Sequence, residues 1–244
     1  MSKNRSPDEK QQGVDAPDLA ALLEGVEKFS HDVFPGNKAL FESLAHGQSP
    51  HTLFVTCADS RVSPEMITQT HPGELFVCRN IGNIVPAYGE MLGGVSAVVE
   101  FAVLALNVRQ IVVCGHSDCG AMKGLASGER AAGMPTVQTW LRNAEAARSV
   151  VMARHESHEG HEGHGHHQHD GDVVQALVEE NIRLQLTHLR THPAVAARLA
   201  EKRLEIQGWV YDIGHGSISV FDEDEGHFES TAEARARLLQ RAGR

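Results

Sequence analysis

The sequence predicts an α/β fold, in which helices flank a mainly parallel central β-sheet, with an N-terminal helical arm and a C-terminal antiparallel edge hairpin. Short β-rich apolar runs alternate along the chain with helical patterns, which is typical of a sheet covered on both faces. The length of 244 residues fits one large domain. Hydrophobic residues make up 41% of the chain, which is enough for a substantial core.

The chain is expected to divide into a disordered N-terminal tail, residues 1–18, and a single domain, residues 19–244. The tail is polar and lacks the apolar run of a secretory signal, and no segment is apolar for long enough to span a membrane. A net charge of −10 without a basic block argues against nucleic-acid binding. We therefore expect a cytoplasmic protein, in which the reducing environment favours metal-bound or buried cysteines over disulfides.

Helical spacing, capping residues and short β-rich runs predict the helices and strands in the first half of the domain. Apolar positions at helical spacing predict the N-terminal arm over Leu19–Phe34, with Asp18 as its N-cap. Gly93–Leu106 is small and apolar nearly all round, which predicts a buried helix. The other predicted elements are a helix at Lys38–Ala45 closed by Gly47, a strand at Thr52–Thr56, a helix starting at Ser63, and strands at Glu74–Cys78 and Gln110–Cys114.

The second half combines amphipathic helices with a final pair of strands. Leu204–Ile213 and Ser217–Phe221 flank a glycine-rich turn, so they predict the antiparallel hairpin at the sheet edge. Apolar residues at helical spacing predict the helices around this hairpin. These helices are Thr136–Arg154, Asp172–Arg190, Pro193–Lys202 and Thr231–Gln240.

A His-rich segment between two of these helices is predicted as a mobile surface loop over residues 155–171. Residues 155–169 hold seven histidines with interspersed Glu and Gly and almost no apolar side chains, so the segment cannot bury itself. Three interpretations stay open. The segment is a solvated linker, a loose binding site for zinc, nickel or copper, or a proton reservoir, since imidazole titrates near neutral pH.

Two polar clusters at the ends of predicted strands carry the strongest functional signal. Residues 57–61 (CADSR) follow the first strand, and residues 116–120 (HSDCG) follow the third. Sites in parallel sheets gather at the carboxyl ends of strands, where we expect these clusters to meet. Cys57, His116 and Cys119 then supply two thiolates and one imidazole. This set suits zinc with one open position, which is the catalytic pattern.

Asp59 has two alternative roles beside such a metal. It can ligate the zinc as a fourth ligand and close the site, or it can accept a hydrogen bond from the bound water and orient it. A bidentate pair with Arg61 favours the second role, because it holds the carboxylate off the metal and keeps it ionised. A closed structural zinc site or a pair of ordinary buried cysteines is the competing explanation.

Three residues in the strand runs have other expected roles. Cys78 and Cys114 lie among apolar neighbours and are predicted to be small buried thiols. Arg79 either lines the site or forms an internal ion pair. These alternatives for Arg79 stay open at this point.

The chain resembles the β-class carbonic anhydrases over nearly the whole domain, residues 19–221. The likeness rests on four segments, which are CADSRV at 57–62, GELFVCRN at 73–80, GHSDCG at 115–120 and GWVY at 208–211. The resemblance implies a lyase, carbonate dehydratase, which catalyses the reversible hydration of carbon dioxide to bicarbonate and a proton.

The resemblance also implies roles for the two clusters. The ligands of a single Zn²⁺ per chain are then Cys57, His116 and Cys119. Asp59 and Arg61 form the catalytic dyad. In the expected mechanism, zinc-bound hydroxide attacks carbon dioxide while Asp59 accepts its hydrogen and orients it.

The family has two active-site variants, and the sequence favours the open one. The variant that closes at low pH has a Trp three residues before the first cysteine and a Gly immediately before it, and here Phe54 and Thr56 stand at these positions. The plant-type variant has a Gln nine residues before that cysteine, which Gln48 matches. We therefore expect an open zinc site without the inhibitory bicarbonate pocket.

Five residues are implied to bind the substrate. The Gln48 amide and the Gly120 backbone N–H would donate to a substrate oxygen as charge develops. Phe76, Ile81 and Phe101 would form an apolar pocket for the gas. Phe101 stands where plant-type enzymes carry Tyr, so the hydroxyl of that residue is missing.

Two other functions compete with this interpretation. Hydrolysis of carbonyl sulfide or carbon disulfide would use the same zinc site. A noncatalytic zinc-storage protein would use the His-rich segment, but storage needs neither Asp59 nor Arg61. By analogy with the family, we expect a homodimer or a dimer of dimers in which the N-terminal arm reaches over its partner, and a role in carboxysomes stays open.

Overall fold

The computed structural model describes residues 16–90, 93–127, 132–158 and 166–242, and its architecture confirms the predicted α/β class. The chain divides into two compact units, residues 1–48 and 49–244. Within the described ranges, no helix combines the length and the apolar character needed to cross a membrane.

The first unit contains helices α1 (Ala16–Lys28) and α2 (Lys38–Leu44). The predicted arm helix is α-helical only as far as Lys28 and continues as a wider π-helical turn. Asp18 lies in the first turn of α1 and is not its N-cap, because the helix begins three residues earlier than predicted. Of the predicted disordered tail, residues 16–18 are helical, and residues 1–15 lie outside the described part of the chain.

The second unit is built on a six-stranded sheet with the order β2-β1-β3-β4-β5-β6. The first four strands in this order are parallel, and the last two pairings are antiparallel. The predicted edge hairpin is therefore extended by one more short strand. The strands are β1 (Thr52–Cys57), β2 (Leu75–Asn80), β3 (Gln110–His116), β4 (Glu205–Asp212), β5 (Ser217–Asp222) and β6 (His227–Ser230).

The central strands are apolar because both of their faces are covered. Every residue of β1 is buried, and in β3 only Gln110 is exposed. A strand buried on both faces has an apolar run without alternation. The helices of this unit are α3 (Pro64–Thr68), α4 (Gly94–Glu100), α5 (Gly120–Ser127), α6 (Pro135–Leu141), α7 (Glu145–His158), α8 (His166–Thr191), α9 (Pro193–Ala200) and α10 (Thr231–Ala242).

Two helix predictions and one loop prediction need correction. The predicted helix Thr136–Arg154 is two helices, α6 and α7, joined by a 3₁₀ turn. The predicted buried helix Gly93–Leu106 is α4 followed by a π-helical turn, and it is buried on one side only, since Phe101 and Leu104 are each 51% exposed. The predicted loop over residues 155–171 is shorter, because α7 ends at His158 and α8 begins at His166. Residues 159–165 of that loop lie outside the described ranges.

Helix α8 lies against β3 and β4 and supports the carboxyl end of the sheet. Gly208 permits this approach, because a Cβ atom there would lie 2.3 Å from the Cγ2 of Ile182. Gly115 at the end of β3 is also close, with Val178 3.1 Å from the position of its absent Cβ. Because α8 packs so closely, the segment after β2 lies within hydrogen-bonding reach of its side chains.

Candidate metal centre

The carboxyl ends of β1 and β3 bring the predicted ligands together. Cys57 ends β1, His116 ends β3, and Cys119 lies just before α5. Strands β1 and β3 are paired in parallel, with Thr56 opposite Cys114, so their ends are neighbours. The ligand atoms of the three residues lie within 4.8 Å of one another, and all three residues are buried. The sequence-based prediction of where the ligands meet is therefore confirmed.

The imidazole of His116 is oriented as a metal ligand. Its Nδ1 lies 2.9 Å from the backbone oxygen of Ser117, and a carbonyl accepts only from a protonated ring nitrogen. The Nε2 atom is buried and has no hydrogen-bond partner among the described residues. A buried polar atom without a partner is costly, and a metal ion at this nitrogen would remove the cost.

The thiols of Cys57 and Cys119 shift each other's pKa in opposite directions. The hydrogen bond from the Cys119 thiol lowers the pKa of Cys57 against the opposing effect of burial. The same contact and then burial raise the pKa of Cys119 above its usual range. The neighbouring backbone amides of Gly82 and Asp59 also lower the pKa of Cys57. One proton is therefore shared between two sulfurs, and a divalent cation would displace it.

Asp59 is held beside these ligands by Arg61. The guanidinium donates from Nε to Oδ1 at 2.9 Å and from Nη2 to Oδ2 at 2.8 Å. These hydrogen bonds hold the pKa of the Asp59 carboxyl well below its usual range. The Oδ2 atom lies 3.8 Å from the Nε2 of His116, so the carboxylate is next to the cluster while both of its oxygens are bound to Arg61.

Two charged residues without a predicted role extend this pair. Arg61 Nη1 donates to Asp118 Oδ2 at 3.2 Å, and Lys123 forms an ion pair with the other oxygen of Asp118. Asp118 takes a left-handed backbone conformation, with φ of 58°. Asp is one of the few residues that tolerate this conformation. The only sequence signal was its place in the HSDCG cluster.

Arg79 binds main-chain carbonyls of the segment that follows β1, and its two predicted roles stay predictions. Its Nε donates to the oxygen of Cys57 at 3.1 Å, and its Nη2 donates to the oxygens of Asp59 and Val62 at 2.7 and 2.6 Å. One guanidinium thus fixes the loop that carries Cys57 and Asp59. This role depends on folded contacts, so the sequence alone did not reveal it.

Of the predicted substrate residues, Gly120 lies at the metal cluster. It begins α5, directly after Cys119, and a Cβ atom there would meet nothing within 4 Å. Ile81 follows β2 and is 43% exposed. Gln48 is the last residue of the first unit. Their substrate contacts stay predictions.

The two aromatic residues that were predicted to line the pocket contact each other, away from the metal cluster. The rings of Phe76 and Phe101 lie 6.0 Å apart. Phe76 pairs with Leu53, four residues before Cys57 in the register, and at about 3.3 Å per residue this separates them by roughly 13 Å along the strand. The structure does not bring these rings to the metal cluster of their own chain.

The remaining cysteines are buried, as predicted. All four cysteines are free thiols. Burial raises the pKa of Cys114 to about 12, and burial also raises the pKa of Cys78. These two thiols are therefore protonated core residues, in contrast to the pair in the metal cluster.

Comparison with known proteins gives a consistent result. The family model described as carbonic anhydrase matches residues 52–218. A carbonic anhydrase of Pseudomonas aeruginosa is 49% identical over 212 residues, which is 87% of this chain and 91% of the relative. The solved β-carbonic anhydrase CcaA is 41% identical, with a TM-score of 0.80 over 87% of this chain and 99% of that one. A tetrameric β-carbonic anhydrase of Sordaria macrospora is 29% identical, with a TM-score of 0.73 over 88% of this chain and 100% of that one.

Proposed function

The chain belongs to the β-class carbonic anhydrases, and from this premise we propose that it catalyses the zinc-dependent, reversible hydration of carbon dioxide to bicarbonate and a proton. The observation that carries the proposal is the buried, unpartnered Nε2 of His116 beside two thiols that share one proton. A site of this kind fits a resident cation. The adjacent Asp59–Arg61 pair adds a group that a purely structural or storage site would not need.

The proposed zinc ligands are Cys57, His116 and Cys119, with the fourth position open. Bound zinc would supply the Lewis acidity that makes water a nucleophile near neutral pH. The three donors include two anionic sulfurs, the soft ligands that zinc accepts readily. Asp59 stays out of this ligand set because Arg61 binds both of its oxygens.

Asp59 orients the attacking water. Its carboxylate is ionised, because Arg61 lowers its pKa, and it therefore accepts a hydrogen bond and donates none. Accepting the hydrogen of the water directs an oxygen lone pair towards the carbon of the substrate. The Gly120 N–H is the proposed donor to the substrate oxygen that gains charge.

A second copy of the chain is proposed to complete the pocket. Solved relatives of this family include tetrameric enzymes. The Phe76–Phe101 pair lies away from the metal cluster of its own chain, and Phe101 is half exposed. In a dimer or a dimer of dimers, these rings would line the site of a neighbouring copy and form its apolar wall.

Stopped-flow hydration of carbon dioxide with parallel zinc analysis tests the proposal. We expect Cys57→Ala to lose zinc and activity together. Asp59→Asn should retain zinc and lose activity by at least about 100-fold, the lower range for removal of a positioned proton acceptor. Cys78→Ala is the matched control, since it removes a buried thiol outside the cluster and should retain both zinc and activity.

Two results would contradict the proposal. One is full hydration activity in Asp59→Asn or Cys57→Ala. The other is a purified, zinc-loaded chain that is inactive on carbon dioxide but hydrolyses carbonyl sulfide or carbon disulfide. Assays on all three gases therefore accompany each variant.

A further inference from the structure

We propose that the second unit binds a phosphate-bearing organic anion of nucleotide size in a cleft at the amino ends of β1, β3 and β4. The cleft has a volume of about 670 Å³. Small-molecule pockets span roughly 300–1,000 Å³, so the cleft has room for such a ligand. None of the lining residues belongs to the metal cluster, and the inference is independent of the proposed function.

The cleft lies at the opposite end of the sheet from the metal cluster. It is lined by His51, Gln110 and Glu205, which stand at or just before the first residues of β1, β3 and β4. His116 ends β3 six residues after Gln110, and at about 3.3 Å per residue this separates them by roughly 20 Å along the strand. An anion in the cleft therefore does not compete for space with a ligand at the metal cluster.

Main-chain hydrogen bonds fix the strand ends that line the cleft. The N–H of Arg109 donates to the oxygen of His51 at 3.0 Å, and the oxygen of Arg109 accepts from the N–H of Glu205 at 3.0 Å. Three lining residues are apolar and buried, namely Val103, Val108 and Leu204. A preformed cleft that is apolar in part suits the organic portion of a ligand.

The lining of the cleft has an excess of positive charge. It includes four cations and one carboxylate, which are Arg109, Arg198, Lys202, Arg203 and Glu205. Glu201 neutralises part of this charge, since its Oε2 lies 2.8 Å from Arg198 and 3.4 Å from Arg203. The side chains of Arg109 and Lys202 form no ion pair or hydrogen bond with any residue that the structure describes. Two cations are thus available to a ligand, in a chain whose net charge is −10.

Two of the lining residues have a left-handed backbone conformation. Asn107 has φ of 52°, and Lys202 has φ of 56°. Asn tolerates this conformation, but a lysine there costs conformational free energy that a glycine would avoid. Lys202 lies just after α9, at the end of a helix, where glycine is the usual residue. A lysine at this position therefore serves stability poorly, whereas its free ammonium at the cleft serves the binding of an anion.

These groups favour an organic phosphate over other anions. A planar guanidinium donates two parallel hydrogen bonds to a phosphate, and a lysine adds a point charge. Arg109 and Lys202 together therefore match a group with two or more negative charges. Bicarbonate has one charge and no organic part for the apolar lining. A nucleoside diphosphate combines two charged phosphates with an organic part of suitable size.

Calorimetric titration of the full-length chain with adenosine diphosphate (ADP) tests the proposal. Adenosine, which has the organic part without the phosphates, should not bind at the same concentration. Arg109→Gln and Lys202→Gly each remove one available cation and should weaken ADP binding by about 10-fold or more, the effect of one lost hydrogen bond to a charged group. Arg235→Gln is the matched control, since it removes an exposed arginine of α10, outside the cleft, and should keep the wild-type affinity.

Lys202→Gly also separates binding from stability. Glycine adopts a positive φ without penalty, so this variant should unfold at no lower urea concentration than the wild type. Its loss of ADP affinity then reports the missing ammonium and not a damaged fold. A wild-type chain that binds no ADP at millimolar concentration overturns the proposal. Wild-type affinity in both Arg109→Gln and Lys202→Gly, or an equal loss in Arg235→Gln, overturns it as well.

Cys57→Ala separates the cleft from the metal cluster. Because the two lie at opposite ends of the sheet, this variant should bind ADP with the wild-type affinity, and bicarbonate should not displace ADP from the wild type. Loss of ADP binding in Cys57→Ala, or displacement by bicarbonate, would place the anion at the metal cluster and refute the inference. A chain that hydrates carbon dioxide but binds no ADP refutes the cleft alone, and one that binds ADP but is inactive refutes the proposed reaction alone.

Discussion

At the scale of single residues, the metal centre depends on a row of alternating charges. Asp59, Arg61, Asp118 and Lys123 follow one another through direct contacts. Each carboxylate lies beside a cation, and the pKa values of Asp59 and Asp118 are both lowered for this reason. Arg61 is therefore fixed from both sides and holds Asp59 in one orientation.

Replacing Asp118 by Asn should weaken catalysis modestly. The change removes one of the two partners of Arg61, but the Asp118 side chain is 55% exposed, so solvent screens the lost interaction. An exposed ion pair contributes up to about 1 kcal/mol, which corresponds to a loss of activity of about 5-fold or less. Stopped-flow hydration measures the loss, and a loss as large as that of Asp59→Asn would instead assign Asp118 a direct role.

The pH behaviour of Asp59 follows from its pairing with Arg61. The native pKa lies below the unfolded value, so the pair stabilises the protein above the unfolded pKa and loses this effect as the pH falls through the native pKa. Arg61→Gln should return the Asp59 carboxyl towards its usual pKa of about 4. Carboxyl ¹³C NMR of the metal-free chain should show a titration step there in the variant only. A step at the same pH in the wild type would contradict the pairing.

Arg79 should matter for metal affinity although it is not a ligand. Arg79→Met frees three carbonyls of the loop that holds Cys57 and Asp59. Loss of a group that orients a ligand typically weakens metal binding by about 10–100-fold. Chelator competition measures the zinc affinity, with the exposed Arg203→Met as control. Rescue by Arg79→Lys would contradict the role, since a lysine cannot reproduce the planar fork of donors.

At the scale of elements, the packing of α8 on the sheet sets the stability of the second unit. Gly208→Ala introduces a Cβ 2.3 Å from Ile182, and overpacking of this kind should destabilise the protein by about 1–3 kcal/mol. Gly171→Ala, also in α8, meets nothing within 4 Å and should stabilise it by about 0.5–1 kcal/mol. Urea unfolding measures both, and an unchanged midpoint for Gly208→Ala would show that α8 is free to shift.

The central strands were predictable because strands buried on both faces consist of apolar residues. β1 and β3 have apolar runs long enough to be recognised, whereas β6 has only four residues, HFES, and no such signal. α5 was missed because two of its eight residues are glycine, which has a low helix propensity. The 3₁₀ turn between α6 and α7 contains neither Gly nor Pro, so no local signal interrupts the predicted helix.

The cluster of Cys57, His116 and Cys119 was predictable for a related reason. Their residue types and their places at strand ends are local features of the sequence. Parallel pairing of the strands then brings these ends together. The contacts of Asp118 and Arg79 join residues that are distant in sequence, 57 positions apart for Arg61 and Asp118. Such contacts depend on how helices and loops pack, which the spacing of residues along the chain does not determine.

At the scale of the whole molecule, apolar faces remain open in the single chain. One face follows α4, where Phe101 and Leu104 are each 51% exposed. Another is the face of α1, where Leu22 and Val26 are 69% and 60% exposed. Each face belongs to a separate unit of the chain, and each has the exposed apolar character of an interaction surface. Together with the tetrameric relative, this exposure supports association with further copies.

Leu104→Glu tests this association and the shared pocket in one experiment. A carboxylate at this position would be desolvated in an interface between copies, so we expect a smaller species in analytical ultracentrifugation than for the wild-type chain. Hydration activity should fall with it, because the Phe76–Phe101 wall is proposed to serve a neighbouring copy. Leu239→Glu is the control, since Leu239 is 59% exposed on α10 and should leave both assembly and activity unchanged. A monomeric Leu104→Glu variant with full activity would show that one chain contains the whole site, and unchanged sedimentation would place the interface elsewhere.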